Sequence, residues 1–227
     1  MMMNEPAADA RDMFVVHRMF RREFGLMPGL VRAVTPGDCM RSAVVADHVA
    51  LVSEGLALHH QGEDDQIWPR LRERCPGECA SLVDVMQEQH HAIHGRLVLT
   101  EETAEPWRHS ASAGTRDALA AAIEQLLTVT REHLALEEER LVPLIEKYLT
   151  EAEYAMAAQE SAAALSPDKQ LIGHGMTMYG AEPEEIGMIV GHVPPDRQAA
   201  VKNQGASAYA TYAAKLYGTA TPPRGTA

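Results

Sequence analysis

His59-x-x-x-Glu63, His90-x-x-x-His94 and His133-x-x-x-Glu137 repeat one spacing in three separate stretches, and His17 precedes them all. Residues four apart on an α-helix stand one above the other on the same face, so each pair can aim two side chains at one point. A single pair of this kind arises readily by chance. Three pairs and an upstream histidine, each in its own helical segment, restrict the chain to a packing that brings four helix faces together.

The apolar pattern supplies those faces. From about Ala8 to the low thirties, Ala10, Met13, His17, Phe20, Phe24 and Met27 fall on one stripe at spacings of three and four. Thr35-Pro36-Gly37-Asp38 reads as a stop and a new start, with Thr35 or Asp38 as N-cap. A second helix then carries Val45, Val49, Val52, Leu56, His59, Glu63 and Ile67 and ends near Pro76-Gly77. The third continues through Val83, Met86, His90, His94 and Leu97, and the stretch from Ala104 to Gly114, with its Pro, Ser and Gly, reads as a linker. The fourth runs Leu119, Ile123, Leu126, Thr130, His133, Glu137, Leu144 and Tyr148, with a kink at Pro143. On every stripe the histidines and glutamates interrupt hydrophobes, which places them in the core, where ionisable groups are costly unless paired or bound to metal.

Residues 8–150 are thus expected to form an all-α, up-down-up-down four-helix bundle. Residues 151–218 form a C-terminal extension of short helices, beginning with the capping box Thr150-x-x-Glu153 and restarting at Ser166-Pro167, Pro183 and Pro194-Pro195; 219–227 form a disordered tail. Only 5% of residues are aromatic, which suits helix packing better than sheet. A formal charge of -12 leaves no basic surface for nucleic acid, and no apolar run approaches the roughly 20 residues needed to span a bilayer. The three cysteines lack the spacing of a secreted framework, and the opening MMMNEPAADARDMF lacks a leader's basic and apolar regions, so the expectation is a reducing cytoplasm. Cys75 and Cys79 flank a Pro-Gly-Glu turn and are spaced so that they can pair or bind metal, but they read first as small residues at a helix start.

Five imidazoles with two carboxylates suit iron better than a thiolate-selective metal, and seven ligands exceed the needs of one ion. Two ions bridged by Glu63 and Glu137 would use the whole set: His17, His59, Glu63, His90, His94, His133 and Glu137. Helix phase separates these from their neighbours. His60 with Asp64, and His91, fall on stripes with small or polar residues and read as solvated; His48 reads as a satisfied helix-face histidine or a rim residue, and His109 sits in the linker. Glu138 competes with Glu137, which spacing from His133 favours.

His17, the His59-His60-x-x-Glu63-Asp64 stretch continuing to Trp68-Pro69, Gln89-His90-x-x-x-His94, and His133-Leu134-x-x-Glu137-Glu138 continuing to Pro143 together resemble the hemerythrin-like HHE cation-binding domain over residues about 10 to 150. The resemblance implies a di-iron centre bridged by a solvent oxygen. His90, His94 and His133 would hold one iron and His17 with His59 the other, Glu63 and one glutamate of the last pair bridging, with one position on the second iron open. Oxygen carriers of the family place a shorter acidic residue five positions after the last histidine, and Glu137 and Glu138 depart from that form. The expected partner is a small diatomic ligand or peroxide, with an iron or redox sensor as the alternative. The extension, with His174, Met176, Met178, Tyr179, Met188 and His192, is either a lid bringing Tyr179 or His174 to the open iron or a methionine-rich packing face.

Overall fold

The computed structural model describes residues 5–224. The four helices of its bundle are α1 (Asp12–Arg32), α2 (Cys39–Gly62), α4 (Pro76–Ser110) and α5 (Ala113–Arg140); α3 (Trp68–Arg74) and α6 (Val142–Tyr148) are short pieces at one end of the bundle. α1 packs on α2 and α5, and α4 on α2 and α5, so neighbours in sequence are neighbours in space, as an up-down-up-down ring requires. The extension is α7 (Glu151–Ala163), α8 (Pro167–Met178), α9 (Pro183–His192) and α10 (Pro195–Tyr217); the first three are short as expected, but α10 runs 23 residues without a break.

Local chemistry sets the boundaries. Asp38 caps α2 by accepting from the Arg41 N–H at 2.9 Å, after a turn in which Gly37 takes φ 86°. Thr150 and Glu153 form the capping box of α7. Pro143 follows the break at Leu141 and starts α6, as the kink expected there requires.

Four other expectations change. The linker from Ala104 to Gly114 is helical as far as Ser110: α4 carries Pro106 in its interior and stops only where Ala111 turns left-handed at φ 45°. The helix-breaking cost of that proline is offset by burying Trp107 completely, with Ala104 and Ala111. Cys75 and Cys79 are joined as a disulfide, since Cys75 at the N-cap and Cys79 one turn on hold their Cα atoms 5.4 Å apart. α2 passes at Glu63–Ile67 into a π-turn before α3. Pro69 has no N–H to give the carbonyl four residues back and would crowd it, and the wider turn absorbs both problems. Finally, residues 219–224 pack back on the extension, with Pro222 buried and its carbonyl accepting from Tyr179 Oη at 2.7 Å; the rest of the tail lies outside the described residues.

The bundle core has two apolar layers. Phe20, Phe24, Leu56, Ile93, Trp107 and Ile123 belong to one; Met13, Ile67, Trp68, Met86, Leu141 and Ile145 belong to the other. The residues between them along each helix are the histidines and glutamates.

Two buried polar clusters fasten the extension. Glu23 accepts from Arg22 (2.8 Å), Tyr209 Oη (3.1 Å) and Tyr217 Oη (2.6 Å), and Arg22 also donates to the Tyr179 and Met176 carbonyls closing α8. Burial alone would raise the Glu23 carboxyl, but His48, Arg22 and Tyr217 hold it down to about 2. His192 at the end of α9 bridges Asp12 and Glu151, each at 2.7 Å, while Tyr154 Oη donates to Asp12 at 2.7 Å. α8 and α10 cross so closely that a Cβ on Gly175 would lie 2.0 Å from the Gly205 carbonyl oxygen, whereas one on Gly173 meets nothing within 4 Å. Gly175→Ala is therefore expected to destabilise the protein by about 1–3 kcal/mol or more through forced separation of the helices. Gly173→Ala should be neutral or stabilising by up to about 1 kcal/mol. Thermal unfolding of the two variants checks the contrast, and equal effects would mean the crossing is not tight.

Candidate metal centre

The π-turn follows directly on the residues that open the site. His59, His60 and Glu63 leave the same turn of α2, and at 100° per residue Glu63 stands about 40° from His59 and about 60° from His60, between the two. It can therefore face the surroundings of both. α1 contributes His17, α4 His90, and α5 His133 and Glu137, all buried.

These side chains form two groups whose ligand atoms lie within 4.8 Å of one another: His60, Glu63, His90 and His133 in one, His17, His59, Glu63 and Glu137 in the other. Within the first, His90 Nε2 and His133 Nε2 are 3.2 Å apart; within the second, His17 Nε2 and His59 Nε2 are also 3.2 Å apart. Two donors each about 2.1 Å from one ion at right angles would be separated by about 3.0 Å. The carboxylates connect the groups. Glu63 Oε1 is 3.1 Å from His59 Nε2 and its Oε2 is 3.4 Å from His90 Nε2. Glu137 Oε2 is 3.5 Å from His17 Nε2 and 3.6 Å from His133 Nε2.

The close approach of the carboxylates is not hydrogen bonding. Neither oxygen of Glu63 or Glu137, nor Nε2 of His60, has a hydrogen-bond partner of acceptable geometry among the described residues, although all are buried. Unsatisfied buried polar atoms are rare in folded proteins. Here they converge, which is what a donor set for cations requires, and no thiolate stands among them. The residues present fit metal binding, and each of the two groups, which share Glu63, could hold an ion.

Two outward ring nitrogens are held from behind. His17 Nδ1 meets Glu138 Oε1 at 3.0 Å, and Arg21 grips Glu138 with contacts of 2.7 and 2.9 Å; His133 Nδ1 meets Gln89 Oε1 at 3.0 Å. Such partners fix ring orientation and tautomer. Glu138 thus stands behind His17, and Glu137 stands inside the cluster.

Electrostatics keeps most of the donors ready. Burial lowers His59 to about 4 and His133 to about 3, and it lowers His60 well below the usual imidazole value, so all three are neutral at pH 7. Burial also opposes a charge on His90, yet Asp64 and Glu63 beside it raise it to about 9. The two central carboxyls diverge. Burial pushes against ionisation of Glu63, but His59, His90 and His133 bring it down to about 2; burial and then the neighbouring Glu63 raise Glu137 well above the carboxylate range.

Of the seven positions singled out by spacing, His17, His59, Glu63, His90, His133 and Glu137 come together. His94 does not: it is exposed on α4, in a shallow depression beside Ser53, Ala57 and Leu58. The buried stripe of α4 runs through Val83, Met86, His90, Ile93, Leu97 and Thr100, and at 100° per residue His94 falls at its outer edge. His60 occupies the space beside His90 instead, its ring stacked on that of His90 at 4.1 Å with planes 10° apart. Placing His60 among solvated residues was the error of treating the His59 stripe as the whole inward face; a wheel centred on Glu63 has both histidines flanking it. His91 and His109 are exposed, the latter 3.1 Å from Glu105, and His48 is buried against Tyr212 and Glu23 away from the cluster. Tyr179 packs on Tyr209 and Arg22, so it belongs to the fastening cluster.

Among the described residues no helix is long and apolar enough to cross a membrane. Comparisons with curated proteins and with solved structures gave no match. The family model described as the hemerythrin HHE cation binding domain matches residues 9–145, the stretch that holds both ligand groups. On that match, which covers more than half of its length, the chain belongs to the hemerythrin HHE cation-binding family.

Proposed function

We propose that the chain is a non-haem di-iron protein that binds or transforms a small oxygen species: peroxide, dioxygen or nitric oxide. The observation that carries this reading is the pair of carboxylates, each reaching one histidine of each group. His60, His90 and His133 would hold one ion and His17 with His59 the other, Glu63 and Glu137 spanning them. His60 takes the place expected for His94. Iron in such a pair would supply reversible one-electron chemistry and Lewis acidity.

The second position has fewer imidazoles and is the more accessible. The His59 side chain is 16% exposed, against 5% or less for His17, His90 and His133. His59 and Glu63 also border a cavity, described below, whose walls are mostly apolar. A small neutral guest can reach them there; a large or charged one cannot without losing hydration.

A second reading, an iron sensor signalling through the extension, is favoured by one contact. Gly62, next to Glu63, lies so close to Ser161 and the Ala157 carbonyl of α7 that a Cβ there would clash. A metal-dependent change in protease protection confined to residues 151–217, without peroxide turnover, would favour it over the first.

Iron analysis of single variants tests the assignment. His60→Ala should lower iron from about two per chain to about one or less, with loss of peroxide turnover, while His94→Ala should retain both. The opposite result would restore His94 to the centre and remove His60. Cation uptake must also displace the protons favoured on Glu137 and His90, so affinity should weaken as pH falls below about 9, where His90 takes its proton. Calorimetry in buffers of different ionisation heat should register proton release on iron binding, and a pH-independent affinity would count against these two residues as ligands.

A further inference from the structure

A cavity of about 220 Å³ lies where the bundle meets the extension. Val16, Phe20 and Leu58 form its bundle wall, and Ala158, Leu165 and Ile189 form the opposite one. His59 and Glu63 border it. An apolar cavity of about 150 Å³ can stay dry and take benzene, so this one has room for a bicyclic molecule of roughly ten heavy atoms.

Most polar side chains on the extension side of its walls are committed to other protein atoms. Ser161 donates to the Ala157 carbonyl, Thr177 to that of Gly173, and Gln170 to that of Leu165 while accepting from Arg197. Tyr154 and His192 are spent on Asp12 and Glu151. His174 differs. Its Nδ1 lies 2.7 Å from the Gln170 carbonyl, an acceptor, so Nδ1 carries the proton and Nε2 is left as a bare acceptor on a ring that burial keeps neutral. Apart from Gln159 and the Glu63 carboxylate at the metal-centre edge, the walls therefore offer apolar contact and the bare acceptor of His174. They offer an anion no unpaired cationic group, since His192 is held by Asp12 and Glu151, and Asp12 and Glu63 repel it.

We propose that this cavity binds a neutral, mainly apolar organic molecule of about ten heavy atoms carrying one hydrogen-bond donor, which His174 receives. Such a guest would rest against the His59 and Glu63 edge of the metal centre. The proposal stands on the cavity alone and does not require the assignment of iron or of oxygen chemistry.

Calorimetric titration of the full chain with 2-naphthol tests it, with naphthalene and 2-naphthoate as comparisons. The expected result is saturable one-site binding of 2-naphthol, several-fold weaker binding of naphthalene and none of 2-naphthoate. Leucine at position 173 adds bulk where an added Cβ meets nothing, so Gly173→Leu should weaken 2-naphthol at least about tenfold. His174→Phe should abolish the preference for 2-naphthol over naphthalene. Should Gly173→Leu lower the thermal midpoint, Ala158→Trp at an exposed position on the same wall gives the same reading. Absence of saturable binding of both neutral probes, equal binding of 2-naphthoate, or unchanged affinity in a well-folded blocking variant would overturn the proposal. Metal content measured on the same samples keeps its failure separate from failure of the metal assignment.

Discussion

Two carboxylates without hydrogen-bond partners sit between two apolar layers, and the organisation of the bundle follows from them. An ion stripped of water costs several kcal/mol even after relaxation. Glu63 and Glu137 face that cost together, and burial with the neighbouring Glu63 raises Glu137 well above the carboxylate range, so that it releases its proton with difficulty. Cations at the two ligand groups would replace that proton and neutralise both carboxylates. The histidines supply what a proton cannot, a set of imidazole donors gathered from all four helices.

Glu23 makes the contrast clear. It too is fully buried and lies near a histidine, His48, so composition alone would rank it beside Glu63. Its oxygens, however, receive Arg22, Tyr209 and Tyr217, and His48 is tied to Tyr212. Nothing there is left to bind an ion. The difference between a fastening and a metal centre lies in where the hydrogen bonds go.

The sequence made the four bundle helices legible, because each buries a stripe of hydrophobes at helical spacing, and it exposed six inward-facing candidates because those stripes are interrupted at one level. His94 misled because four-residue spacing from His90 does not say on which side of it the buried face continues, and on α4 that face continues through Ile93 and Leu97. His60 was hidden for the opposite reason: a residue about 100° from His59 looks like a bystander until Glu63 is taken as the centre of the face. Pro106 read as a stop because the burial of Trp107 beyond it depends on α5. The disulfide stayed open in the sequence because spacing permits a bond without requiring it. The fastenings through Asp12, Glu23 and Arg22 join residues more than 140 positions apart, and no local pattern announces such partners.

Half of the cavity wall comes from the bundle and half from residues that follow it in sequence. Ligand donors and the shape of the entrance are thus encoded in different stretches of chain, and mutation can explore the two separately. Drift in α7 to α9 would retune which guests are admitted while the donor set stays intact. A single bundle could in this way be fitted with many thresholds, in the manner of a socket whose collar is exchanged and whose contacts are not.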